Sequence, residues 1–167
     1  MSNADFNLLL RLLTGDIREG ETGEPVKEPT HVYRIEMPTG YGPFNSGLPN
    51  SHEIYEDLTR DEPGWPGYLL RNCPSMKREQ MGVTEQAFRE AHGHAAYGCI
   101  DLKSMNTWFP RPAREYLQPL GAKIICYCLQ PGDYLLCLTE SEGEIVFNPK
   151  SATIVETIDV LELESKL

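Results

Sequence analysis

The chain is 167 residues long, carries 25 acidic against 15 basic side chains for a formal net charge of −10, and is 40% apolar. That length fits one domain able to bury about two thirds of its unfolded surface. No window approaches the ~20 consecutive apolar residues of a membrane span, and so negative a charge disfavours direct binding to nucleic-acid phosphates, whose affinity comes from Lys and Arg displacing counterions.

At the N-terminal end, Leu8, Leu9, Leu12 and Leu13 form one stripe of a short helix over residues 5–13, with Gly15 near its end. No basic run precedes this apolar patch and no small-residue cleavage site follows it, so no secretory signal is expected and the location read from the sequence is cytoplasmic. Residues 14–30 (TGDIREGETGEPVKEPT) are acidic and rich in Gly and Pro, the composition of a linker. The expected organisation is therefore an N-terminal helix and acidic linker over residues 1–30, followed by one globular domain over residues 31–167.

From His31 to Met37 the chain alternates Val32, Arg34 and Glu36 against Tyr33, Ile35 and Met37, the period of a strand with one buried face. Pro38 ends it. The Pro- and Gly-rich residues 38–51 read as a long loop anchored by Tyr41 and Phe44. Residues 51–59 read as a short helix, and residues 61–75 as irregular around Trp65. Thr84 to His92 has good helix formers, with Thr84 as N-cap and Gly93 as stop. His94 to Ile100 reads as a short strand. Asp101 then caps a helix carrying Leu102, Met105, Trp108 and Phe109, which Pro110 and Pro112 interrupt before further turns with Tyr116, Leu117 and Leu120. After Gly121 the pattern turns to strands over residues 122–129, 134–138, 144–148 and 154–163, with turns at 131–133 and 140–143. Helices early and strands late imply an α+β fold.

Charge is uneven along the chain. Residues 1–30 hold six acids and three bases, residues 31–138 twelve and ten, and residues 139–167 seven and two. Such acidic ends serve solubility or attract basic partners. Cys73, Cys99, Cys126, Cys128 and Cys137 are odd in number with no Cys-x-x-Cys pair, which fits reduced thiols rather than a disulfide framework. His92, His94 and Cys99 lack structural-zinc spacing, so no metal site is expected. Cys126 and Cys128 share one face of an apolar strand and read as core packing. No phosphate-binding Walker loop or dinucleotide fingerprint is present.

Three stretches stand out together: Val32-Tyr33-Arg34, Tyr97-Gly98-Cys99, and Glu142-Gly143-Glu144 before an apolar strand. In this order over residues 31–163 the chain resembles the ADP-ribosyltransferase family of the Arg, Ser-Thr-Ser, Glu-x-Glu type. The first and last motifs match in residue type, whereas Tyr97-Gly98-Cys99 stands where the family has Ser-Thr-Ser. The resemblance implies a split β-sheet core with helices packed on it, NAD as substrate, and transfer of ADP-ribose to a protein. It further implies Glu144 as the catalytic residue, Glu142 facing the acceptor, and Arg34, Tyr33, Tyr41 and Tyr97 around the cofactor.

The chemistry accounts for those residue types. Cleaving the nicotinamide–ribose bond develops positive charge that a carboxylate stabilises, and a diphosphate is gripped best by a planar guanidinium. The same residues also fit plainer roles, Arg34 pairing with Glu36 or a core carboxylate and Glu-Gly-Glu forming an ordinary hairpin turn. More loosely, Tyr33-Arg34-Ile35-Glu36, Gly40-Tyr41-Gly42-Pro43 and Trp108-Phe109 resemble small phage and prophage proteins of host takeover or anti-defence. As an alternative to the enzyme, the chain reads as a non-enzymatic acidic inhibitor or interaction module, a nucleic-acid mimic included, with a basic protein as its partner.

Overall fold

The computed structural model describes residues 3–15, 22–43, 50–60, 78–137 and 143–167. Among them run helices α1 (Asn3–Thr14), α2 (Ser51–Thr59), α3 (Arg78–His92), α4 (Leu102–Trp108) and α5 (Arg111–Leu117). The strands are β1 (Glu24–Pro25), β2 (Thr30–Glu36), β3 (Ala96–Cys99), β4 (Lys123–Leu129), β5 (Tyr134–Cys137), β6 (Glu144–Phe147) and β7 (Thr153–Asp159). The seven strands form one antiparallel sheet in the order β1-β5-β6-β3-β2-β4-β7, and the fold is α+β.

The sheet is not flat. Tyr127 on β4 and Phe147 on β6 are three strand spacings apart, about 14 Å in a flat sheet, yet their ring centroids are 5.2 Å apart. The bend falls between β2 and β3. Whereas β2 stays in register with β4 along its whole length, it meets β3 only where Tyr33 faces Cys99. Two cores follow from this bend. Val26, Val32, Ala96, Ile125, Tyr127, Leu129, Ile145 and Phe147 fill the inner face. On the outer face, Ile35, Met37, Cys99, Ile124 and Ile158 pack under the helices through Ile54, Leu58, Met105, Trp108 and Leu117. The period-two reading of β2 as a strand with one buried face is thus corrected: Val32 and Ile35, on opposite faces, are both buried, because the bend covers the inner face with the sheet's other half.

The segment read as linker is also partly corrected. Glu24 and Pro25 pair with Leu135 and Tyr134, Val26 is buried, and its amide donates to the Asp133 carbonyl at 2.7 Å. Val26 is the one large aliphatic between Ile17 and Val32, and burying it outweighs the breaker composition around it. Helix α3 begins six residues before the expected Thr84 and ends where expected, at Gly93 with φ of +91°. The expected strand to residue 163 stops at Asp159, whose carboxylate accepts from the Leu161 amide in a turn, followed by a 3₁₀ turn at Leu163–Lys166. Phe44, an expected loop anchor, and Trp65 lie outside the described residues.

Arg114 of α5 closes the outer core. It is 0% exposed and spends all five of its N–H donors: Nε on the Phe109 carbonyl (2.9 Å), Nη1 on the Val160 carbonyl (2.7 Å) and Glu164 Oε2 (3.2 Å), and Nη2 on Asn106 Oδ1 (3.0 Å) and Glu164 Oε1. Hydrogen bonding from Arg114 holds the Glu164 carboxyl at about 2, with burial opposing it. Because this folded value lies below the unfolded one, the pair's stabilisation is complete above the ordinary glutamate range and is lost as pH falls toward 2. Urea midpoints should therefore drop for the wild type between pH 5 and 2, and the gap between wild type and Glu164→Gln should close over the same interval. A constant gap would remove Glu164 from the acid response.

Candidate functional site

Arg34 stands where the sheet forks. Beyond the Tyr33–Cys99 pair, β2 and β3 part, and the guanidinium bridges the gap: Nη1 donates to the Tyr97 carbonyl on β3 at 2.9 Å. Nε donates to Glu36 Oε1 at 3.2 Å, and the same oxygen accepts the Tyr127 hydroxyl at 2.5 Å. The side chains of Arg34 and Glu36 are 14% and 12% exposed. The edge of the guanidinium carrying Nη2 faces the turn after β2, where a Cβ on Gly42 would come within 3.2 Å of it. Among the described residues Nη2 makes no hydrogen bond. That turn is fixed by the Met37 amide donating to Tyr41 O and the Gly40 amide to Met37 O, both at 2.8 Å. Tyr41 is 47% exposed beside it.

Gly98, the centre of the Tyr97-Gly98-Cys99 stretch, is required by close approach at this fork. A Cβ there would meet Val32 Cγ1 at 2.8 Å, the Tyr33 carbonyl oxygen at 3.0 Å and Phe147 Cε1 at 3.1 Å. The two strands can come together before they part only because no side chain intervenes.

Glu144 opens β6, facing Cys99 across the ladder, and Cys99 in turn faces Tyr33. Facing residues share a side of the sheet, so Glu144, Cys99 and Tyr33 line the outer face while Arg34 lies on the inner one. The structure thus brings the three sequence stretches onto three neighbouring strands, β6, β3 and β2, but sets Arg34 and Glu144 on opposite faces. Glu144 is 9% exposed. Burial, then the carboxylates of Glu85 and Glu144, push the Tyr97 phenol well above its ordinary range, with Arg89 offsetting in part. Burial foremost, then Cys126, raises Tyr33 as well, and burial raises the Cys126 thiol. These phenols are donors, not bases. Glu142 lies outside the described residues.

Gly143, just before Glu144, is held against the chain around the start of α4. The Ile100 amide donates to Gly143 O at 2.8 Å, and Ser104, whose own amide is capped by Asp101 Oδ1 at 2.7 Å, sits so close that a Cβ on Gly143 would lie 2.0 Å from its Oγ. The sequence does not point to Tyr127 as a neighbour of the site, because it arrives from a distant part of the chain, and Ser104, five residues after Cys99, reads only as part of the Asp101 helix. Glu36 is visible in the sequence as the alternate partner of Arg34 on its strand. His92 does not meet Cys99 at a metal: its Nε2 pairs with the Thr22 carbonyl at 2.7 Å and its ring stacks on Tyr134. Among the described residues no group of three or more His, Cys, Asp or Glu is placed to hold a metal ion. Among them also, no helix is long and apolar enough to cross a membrane.

Compared with known proteins, residues 27–161 match a family model described as Bacteriophage T4 Y00F protein. No curated protein and no solved structure matches the chain.

Proposed function

Because the chain belongs to the Bacteriophage T4 Y00F protein family, we propose that it acts in the host cytoplasm as an NAD-dependent mono-ADP-ribosyltransferase-like protein that modifies a host protein during phage takeover or anti-defence. One observation carries the reading. Arg34, Tyr97 and Glu144, separated by 110 residues end to end, fall on three neighbouring strands around the fork between β2 and β3. In this reading Arg34 grips the diphosphate through Nη2, Tyr33, Tyr41 and Tyr97 contact the cofactor, and Glu144 stabilises the positive charge that develops on the ribose. Glu142 faces the acceptor.

Thermal unfolding with and without NAD tests the binding half. NAD at 100 times its Kd contributes about 2.7 kcal/mol, a rise of roughly 5–10 °C for a chain of this size. Arg34→Ala should remove the rise. Glu144→Gln should keep it while losing NAD hydrolysis and transfer of labelled ADP-ribose. No rise in the wild type overturns the cofactor, and full activity in Glu144→Gln overturns the catalytic role.

The placement of Arg34 and Glu144 on opposite faces, with Cys99 where a hydroxyl would stand, favours a second reading: a stoichiometric acidic module that docks on a basic host protein. It expects no stabilisation by NAD and a host complex that weakens as salt rises, since exposed charges are screened within about 8–10 Å. A salt-insensitive complex would exclude it.

A further inference from the structure

Arg34 meets the Glu36 carboxylate two residues along its own strand. The Arg34 guanidinium does not stand as an isolated positive charge: the Glu36 carboxylate holds its Nε edge, both side chains are mostly buried, and the Tyr127 hydroxyl fixes the carboxylate on the same oxygen. The Arg34–Glu36 pair therefore carries no net charge of its own, and what remains for a ligand at the guanidinium is a directed donor, Nη2, beside the Gly42 turn. An anion approaching Nη2 meets a hydrogen bond and, just behind it, a fixed negative charge screened little by water. Each phosphorus of an internal diphosphate brings a single negative charge, whereas a terminal phosphate brings close to two. The added charge meets only repulsion here.

We propose that Glu36, fixed by Tyr127, is a specificity-determining residue that makes the Arg34 fork select an internal diphosphate over a terminal phosphate group. The inference rests on the reading of the fork as the diphosphate site of NAD. Under it, the Arg34–Glu36 pair is a filter against the abundant nucleoside triphosphates and free pyrophosphate of a cell, and not a simple strand-edge ion pair.

Calorimetric titration of NAD and of inorganic pyrophosphate into the wild type, Glu36→Gln and Tyr127→Phe tests it. Glutamine keeps the shape and an acceptor oxygen but removes the charge. The wild type should prefer NAD, and Glu36→Gln should narrow that preference on the order of tenfold, through a gain in pyrophosphate affinity. Tyr127→Phe retains the carboxylate and should retain the preference, which separates charge selection from loss of packing. An unchanged preference in Glu36→Gln, or equal weakening of both ligands, overturns the proposal. Should the wild type bind no NAD, the cofactor reading fails by itself, and pyrophosphate alone then decides: tighter binding by Glu36→Gln than by the wild type supports selection by Glu36, and no binding by either overturns it.

Discussion

Arg114→Ala should lower the stability of the fold by about 3–5 kcal/mol, the usual cost of removing one partner from a buried charge network. At the roughly 2–4 °C per kcal/mol of a chain this size, the melting temperature should fall by roughly 6–20 °C. The reason is in the geometry. Five donors of one fully buried guanidinium hold the end of α4 through Asn106, the link between α4 and α5 through the Phe109 carbonyl, and the chain's last turn through Val160 and Glu164. Alanine would leave these acceptors facing an empty volume in the outer core. Lysine does not restore them, because an ammonium has three donors around one atom and cannot reach acceptors spread around a planar fork. Arg114→Lys is therefore expected to recover less than half of the loss, whereas Glu164→Gln, at an acid that is partly exposed, should cost much less than either. Urea unfolding of the three variants at neutral pH orders them. If Arg114→Ala unfolds within about 1 kcal/mol of the wild type, the network is not what closes the outer core.

Nothing in the local sequence marks Arg114. Arg-Pro-Ala-Arg reads as the polar side of a short helix, and the burial of its last residue depends on a turn some fifty residues later supplying a carbonyl and a carboxylate. What is legible in the sequence is whatever local chemistry decides. The extent of β2, the apolar run of β4, the Asp101 cap and the Gly93 stop all appear where residue type and spacing put them, because each depends on neighbours within a few positions. Strand β1 is not legible, since two residues, one of them a proline, carry no period and are ordered by pairing with Leu135 and Tyr134 and by burial of Val26. The bend between β2 and β3 is not legible for the same reason: it is a property of how two halves of a sheet meet. The candidate site divides along this line. Arg34, Glu36 and Glu144 could be named from the sequence, but the face each occupies depends on register across strands that the sequence leaves open. Tyr127, which fixes Glu36, looks from the sequence like one more core residue of β4.

The fork itself is open to a direct test at Gly98. Gly98→Ala is expected to destabilise the protein by about 2–3 kcal/mol, the upper part of the range for overpacking, because two of the three atoms its Cβ would meet are hard to displace. Phe147 Cε1 belongs to a ring packed against Tyr127, and the Tyr33 oxygen, 3.0 Å away, is backbone held in register with β4. Val32 Cγ1, at 2.8 Å, is the side-chain contact that a second substitution removes with the smaller loss of packing. Val32→Ala alone should cost about 2 kcal/mol through lost burial. Combined with Gly98→Ala it should recover at least 1 kcal/mol of the summed loss, within the usual range for residues in contact. The recovery should stay partial, since the Tyr33 carbonyl still opposes the new methyl group. To accommodate it, β3 must move away from β2, stretching the 2.9 Å bond from Arg34 Nη1 to the Tyr97 carbonyl. Gly98→Ala should therefore also weaken whatever anion Arg34 holds, and the double variant should recover stability more fully than it recovers binding. Additive stabilities would mean that the strands do not need the glycine to meet. Unchanged binding in Gly98→Ala would mean that the guanidinium is fixed by Glu36 alone and that the fork does not set its position.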